Sequence, residues 1–484
     1  MKRFASNFSD GPLTFWIAGG LLALSFAIRL IALYQTEFAN GWDSYFYLVQ
    51  LQSLKETGAL HTREWTLLYP LLWGIDLFSP DYITSVKVLS AILATLFAAT
   101  VFILSNRIQS SRWVSLAVLS YTVFSPELTY FAAQWPKNLL GVTILIVLLL
   151  ALWKRKWRSM VILLILGFFG HRMTALLGLG IVALTFFVNH VPSRFRIALA
   201  AGIIVCAVAG LVVPGVLKVY DFQRLNDLIA GSPQFPILTF YRIFGTAKIS
   251  LLWQFELWFT FGVAITVSVR LIIRREKHDT DRILTLIALL FVLWFPFYHW
   301  DTGSAAYRFF HVGILLTPVL LIFLLPAKRL ILYGSFAMFT ATSFFSWKAY
   351  DPETQDPPYA LYKIVTEQTR QQIKPEDKPQ LIIAHKSLAE YYSFTTKSDA
   401  MAWLPEARLP VDRVWRIAVL PYPQLYSFYT NRNPAHLIGQ YYFIPEHEWR
   451  LFITELQKHE HPDVINEHLT WKNPNEVRPA FLQK

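Results

Sequence analysis

A single cysteine, Cys206, in 484 residues excludes a disulfide within the chain and a cysteine-built zinc site. Charge is scarce as well. Asp, Glu, Lys and Arg make up 16% of the chain, where a soluble protein carries roughly a quarter. Acids fall short of bases, 32 against 44, which leaves a net charge of +12. That excess does not make a nucleic-acid face. The bases sit in short clusters between apolar runs, which is how membrane topology is written. No Gly-rich phosphate loop points to a nucleotide, and there is no internal repeat or low-complexity segment.

What is present is hydrophobic: 54% of the residues, with 16% aromatic. The charge deficit is uneven, because residues 350–484 have the composition of ordinary soluble protein. Crossing the hydrocarbon takes about 20 apolar residues in a helix, and backbone groups must be satisfied internally there. The runs predict eleven helical spans at 13–34, 87–106, 113–130, 138–153, 159–170, 173–189, 197–214, 251–273, 283–299, 309–326 and 330–346. The fifth and sixth are separated only by Gly170-His171-Arg172, where a helix pair is expected to turn. Lys2 and Arg3 precede a first run too long for a signal-peptide core, so it is expected to stay as a span.

With the N-terminus in the cytoplasm, every inside loop holds at least two bases: Arg107 and Arg112; Lys154, Arg155, Lys156 and Arg158; Arg194 and Arg196; Arg274, Arg275, Lys277 and Arg282; Lys328 and Arg329. The outside loops hold most of the loop acids, as the positive-inside rule requires. The expected fold is therefore an α-helical polytopic membrane protein of the plasma (inner) membrane. Its membrane module spans 1–346 and a small extracytoplasmic α/β domain spans 347–484. Two long outside loops, 35–86 and 215–250, put most polar material at one face. Gln380-Leu-Ile-Ile-Ala and Trp415-Arg-Ile-Ala-Val-Leu read as strands, 446–459 as an amphipathic helix, and the Pro-rich stretch 351–358 as a linker.

The first outside loop is the most informative segment. Asn40-Gly-Trp-Asp-Ser-Tyr-Phe-Tyr leads to Gly58, a good helix stop. On a helix beginning near Asp43, Asp43, Tyr47 and Gln50 share a face. Asp43 could serve as an N-cap alone, although Phe46 denies it a capping box. Glu127 follows the third run and could be a solvated loop charge. Lys137 suits a phosphate or a snorkelling position. His171 and Arg172 lie between two short apolar runs, where ionisable groups are costly, and suggest either a polar cavity or an ordinary turn. Arg308, flanked by Tyr307 and further aromatics, offers a planar fork of donors for a phosphate, or a headgroup anchor. His299, Asp301 and His311 are weak metal candidates.

Trp42-Asp43-Ser-Tyr-Phe-Tyr-Leu, then Gly58, then Tyr69-Pro70-Leu-Leu, resembles the first-loop signature of the GT-C superfamily of membrane glycosyltransferases. These include oligosaccharyltransferase catalytic subunits, protein O-mannosyltransferases and lipid A aminoarabinose transferases. The resemblance implies a sugar donor linked to polyprenyl phosphate or diphosphate, and a protein, lipid or glycan acceptor outside the cytoplasm. It implies that Asp43 activates the acceptor, directly or through a divalent metal, and that a late-loop base such as Arg308 receives the carrier phosphate. Many relatives place another acid near the start of the fourth span, where this chain has Lys137-Asn138, so a two-carboxylate metal site is not expected. A transporter or lipid flippase is the main alternative, although the chain shows no related halves. A scaffold presenting the tail is a third.

Overall fold

The computed structural model describes residues 11–61, 66–108, 111–190, 251–273, 280–293, 305–324, 340, 345–373, 381–384, 386–398, 400–401, 414–419, 437–438 and 441–445. The expected span 197–214, the loop 215–250, nearly all of the expected span 330–346 and the helix 446–459 lie outside them. The chain divides into two compact units. The first comprises Met1–Gln35, Thr66–Leu68 and Val88–Asp351; the second comprises Thr36–Trp65, Tyr69–Lys87 and Pro352–Lys484.

The first unit is helical. Its elements are α1 (Gly11–Leu33), most of α4 (Tyr82–Ile108), α5 (Arg112–Val123), α6 (Pro126–Gln134), α7 (Pro136–Trp153), α8 (Trp157–Gly170), α9 (Arg172–His190), α10 (Leu251–Ile273), α11 (Thr280–Leu293), α12 (Ala305–Leu315) and α13 (Thr317–Leu324). Among the described residues five helices are long and apolar enough to cross a membrane: Leu13–Leu33, Tyr82–Ile108, Pro136–Trp153, Arg172–Asn189 and Trp253–Ile273. Exposed apolar side chains such as Phe15, Trp16, Ile162, Phe186, Ile272 and Ile273 suit helix faces toward lipid rather than water. This is a multi-pass membrane protein.

Two expected spans are broken rather than continuous. The run 113–130 ends as a helix at Val123 and restarts at Pro126. Proline cannot continue a helix but fits its first turn, and Ser125 caps the new start by accepting from the Leu128 amide at 3.0 Å. Two buried ionisable side chains stitch the break. The Arg29 guanidinium, from the C-terminal part of α1, donates to the carbonyls of Val123, Thr122 (3.4 Å) and Ser125 (3.3 Å). Glu256 of α10 accepts from the Ser125 hydroxyl (2.5 Å) and the Glu127 amide (2.6 Å). A cation thus meets a helix C-terminus and a hydrogen-bond-accepting carboxyl group meets a helix N-terminus, each matching the exposed backbone groups. The run 309–326 is likewise divided, into α12 and α13.

The turn at His171 is as the sequence suggests. His171 is extended (φ −155°, ψ 117°) and ends α8 by donating its amide to the Gly167 carbonyl at 2.8 Å. α7, α8 and α9 pack on one another through small residues. A Cβ on Gly170 would meet Ile144 Cδ1 at 2.9 Å, and one on Gly178 would meet Leu148 Cδ2 at 2.7 Å. A Cβ on Gly141 would fall under 3.0 Å from both the His171 Cβ and the Thr174 hydroxyl.

In the second unit, α2 (Ser44–Thr57) ends at Gly58, which is left-handed (φ 73°) and donates to the Leu54 carbonyl at 3.1 Å. After it comes α3 (Leu68–Asp76), which begins at the unit boundary. Asp76 gathers Lys55 Nζ at 2.5 Å and the Ser85 hydroxyl at 2.9 Å. Beyond Pro352 come α14 (Pro352–Gln355), α15 (Tyr359–Gln372), β1 (Leu381–Ala384), α16 (Lys386–Thr396), β2 (Ala400–Met401), β3 (Val414–Val419), β4 (Leu437–Ile438) and β5 (Tyr441–Pro445). The strands form a sheet of order β2-β1-β3-β5-β4, with β1 parallel to β2 and β3 and the remaining pairs antiparallel. β1 is buried along its length, as its unbroken apolar run dictates. Residues 351–358 are not a free linker: they include α14 and make the contacts with the Asp43 turn described next.

Candidate active site

Asp43 stands at the N-cap position of α2, yet its side chain makes no capping hydrogen bond. Its Oδ1 accepts from Lys386 Nζ at 2.7 Å instead, and Lys386 also approaches Glu390 Oε1 at 3.8 Å. The side chains of Asp43 and Lys386 are 12% and 14% exposed, so the pair is largely desolvated but not sealed. The preceding turn is held just as firmly. The Gly41 amide donates to Asp356 Oδ1 (3.0 Å), the Tyr359 hydroxyl donates to the Gly41 carbonyl (2.7 Å), and Trp42 Nε1 donates to the Gln355 carbonyl (3.1 Å). Burial pushes the Tyr359 phenol well above its ordinary pKa, so it stays a neutral donor. Tyr45 is fully buried against Tyr359, Tyr391 and Phe394, with ring centroids 4.7, 4.9 and 5.6 Å away. Tyr47 and Gln50, expected to share Asp43's polar stripe, are buried as well. α2 is therefore packed against protein rather than lying bare at an interface.

The remaining candidates belong to the first unit. Glu127 is not a solvated loop charge. It is fully buried in α6, with Oε2 accepting from Trp253 Nε1 at 2.8 Å and Oε1 2.7 Å from His311 Nδ1. The His311 ring sits among Tyr130, Trp135 and Trp253 at centroid distances of 5.3, 5.3 and 5.9 Å. Arg308, one turn before His311 on α12, is half-buried with its guanidinium carbon 5.8 Å from the Trp135 ring. Glu127, Trp135, Arg308 and His311 thus form one constellation around the α6–α7 junction. Lys137 lies in the first turn of α7 and is half-buried. Arg172 is also half-buried, with its guanidinium 5.5 Å from the Phe168 ring. Tyr307 is a residue of α12.

Sequence reading passed over Lys386, Glu256 and Arg29. The last two carried a signal, since an ionisable residue inside an apolar run demands a partner. Lys386 carried none, being a lysine in a soluble-looking segment. Among the described residues, no three His, Cys, Asp or Glu side chains gather so as to hold a metal ion. Asp43 Oδ1 meets the Lys386 ammonium, and His299 and Asp301 lie outside the described residues.

ArnT from Cupriavidus metallidurans, solved bound to undecaprenyl phosphate, matches with a TM-score of 0.55 at 12% identity, over 89% of this chain and 98% of ArnT. Its apo form matches with a TM-score of 0.56 at 11% identity, over 90% and 98%. The chain shares the fold of ArnT. The Archaeoglobus fulgidus oligosaccharyltransferase, solved with Zn and sulfate, is more distant: its TM-score is 0.44 at 10% identity, and the match covers 78% of this chain and 62% of that one. The ArnT match agrees, at the level of fold, with the resemblance carried by the first-loop residues. No family model matches the sequence and no curated protein matches it either. The likeness to ArnT lies in the path of the chain.

Proposed function

We propose that this chain is a membrane glycosyltransferase that moves a sugar from a polyprenyl-phosphate or polyprenyl-diphosphate carrier to an extracytoplasmic acceptor. The observation that carries this reading is the ArnT fold over nine-tenths of the chain, joined to a carboxylate at Asp43 that does no capping. An acceptor hydroxyl or amide is a poor nucleophile. Asp43 takes its proton as the bond from the sugar to the carrier phosphate breaks. The departing phosphate needs positive charge rather than an acid, and Arg308 supplies it through a guanidinium fork. Undecaprenyl phosphate bound to ArnT supports a carrier of this chemical class. Lys137, His171, Arg172 and Tyr307 are further candidates for contact with donor or acceptor. Tyr47 and Glu127, both buried, would act by holding shape. In this reading some eleven spans carry the site, the N-terminus is cytoplasmic and the domain at 347–484 lies outside.

The test is sugar transfer in membranes supplied with polyprenyl-phosphate sugars. Asp43→Asn should insert normally and lose at least about 100-fold in rate, the usual worth of a general base. Wild-type transfer by that variant removes Asp43 from the mechanism.

A further inference from the structure

The Asp43–Lys386 contact joins two residues 343 positions apart in sequence, within one compact unit. Neither is held loosely. The turn before Asp43 is fixed by Asp356, Tyr359 and the Gln355 carbonyl. Lys386 begins α16, which packs along α2 through Tyr391 and Phe394 against Tyr45. Two rigid elements thus present an ammonium to one oxygen of a carboxylate at 2.7 Å. Among the described residues, the titratable groups of this neighbourhood include Lys386, Glu390 and Tyr391 on α16, Asp356, Tyr359, Tyr362 and Glu367 after Pro352, Glu37 and Lys87, and Tyr45 and Tyr47 on α2. Glu390 Oε1 lies 3.8 Å from Lys386 Nζ, on a side chain 1% exposed.

We infer that Lys386 is a positioning residue for Asp43: through its contact with Oδ1 it fixes the carboxylate's rotamer and holds it charged, ready to take the acceptor's proton. The inference rests on Asp43 being the base proposed above. Bond making is unaltered by it. The proton passes from acceptor to Asp43, the acceptor atom bonds the sugar, and the carrier phosphate leaves with the electron pair. Lys386 touches none of the reacting atoms.

A misplaced base costs up to about 100-fold in rate. Lys386→Met should therefore lower kcat/KM by about 10- to 100-fold at neutral pH. Removing a cation beside a base makes the base harder to deprotonate, so the acid limb of kcat/KM against pH should move to higher pH. A merely structural lysine would lower activity equally across the profile. Lys386→Gln is the second variant, should the methionine fold poorly, and Lys386→Arg keeps the charge and should restore the limb. An acid limb unmoved in both neutral variants, with Asp43→Asn inactive, overturns the role of Lys386 and leaves Asp43 as base. Transfer by Asp43→Asn at the wild-type rate overturns both.

Discussion

Gly141→Ala isolates the contact that seats His171. The added Cβ would come under 3.0 Å from the His171 Cβ and the Thr174 hydroxyl, and 3.3 Å from the His171 amide nitrogen. The hydroxyl can rotate away, at the loss of its 2.8 Å bond to the His171 carbonyl, worth about 1 kcal/mol. The His171 Cβ cannot rotate away, because it is fixed to the backbone. The turn between α8 and α9 must retreat by several tenths of an ångström or more, and overpacking of this kind costs about 1–3 kcal/mol. Against this, alanine gains about 1 kcal/mol over glycine in a helix interior. The net expectation is a loss of about 1–3 kcal/mol, from the same principles. Gly180→Ala is the matched control, since nothing lies within 4 Å of a Cβ there. Thermal unfolding of both variants in the same lipid nanodisc should show the first melting several degrees below wild type and the second at or above it. A Gly141→Ala variant as stable as wild type refutes the close approach of α7 to this turn, and with it the account of why His171 sits where it does.

Other outcomes follow from the same structure. Arg308→Ala should weaken binding of undecaprenyl phosphate by about 10-fold or more, the worth of a charge-assisted hydrogen bond, while undecaprenol binding is unchanged; equal effects on both lipids would deny Arg308 a phosphate. Glu256→Leu should destabilise by about 3 kcal/mol or more because it strands the Glu127 amide and the Ser125 hydroxyl in the bundle, whereas Glu256→Gln, which keeps an acceptor, should cost less. Urea or thermal titration reads both. His61 is buried in the second unit, and burial depresses its pKa from 6.5 to about 4. The unfolded chain therefore binds the proton first, and stability is lost as pH falls from about 6.5 toward about 4, by about 3 kcal/mol at about 1.4 kcal/mol per pH unit. His61→Gln should flatten that slope in melting curves taken across this range, and an unchanged slope would assign the pH dependence elsewhere.

The membrane character, the turn at His171 and the start and stop of α2 at Asp43 and Gly58 were legible in the sequence, because each rests on local composition or on one residue's backbone preference. The break at Phe124-Ser125 was hidden, although Ser125-Pro126-Glu127 is a helix-start pattern, because apolar residues on both sides read as one run. What closes the break comes from Arg29 and Glu256, about 95 and 130 positions away. Hydropathy averages such residues into their spans, while their cost in the membrane is the better guide. The first-loop signature pointed to Asp43, but nothing near it in sequence foretold Lys386. Long-range ion pairs leave no periodicity, so this half of the candidate site needed coordinates.

The hold of Gln355, Asp356 and Tyr359 on the turn at Gly41 and Trp42 also sets a timetable for biosynthesis. Trp42 and its partner carbonyl are 313 residues apart. At the ribosome's pace of roughly 5–20 residues per second, the nascent chain waits about 15–60 s between making the turn and making what secures it. For that interval Tyr45 lacks the Tyr359, Tyr391 and Phe394 rings that cover it in the finished protein. Any chain halted before α16 emerges would be inserted in the bilayer and still lack a finished first loop.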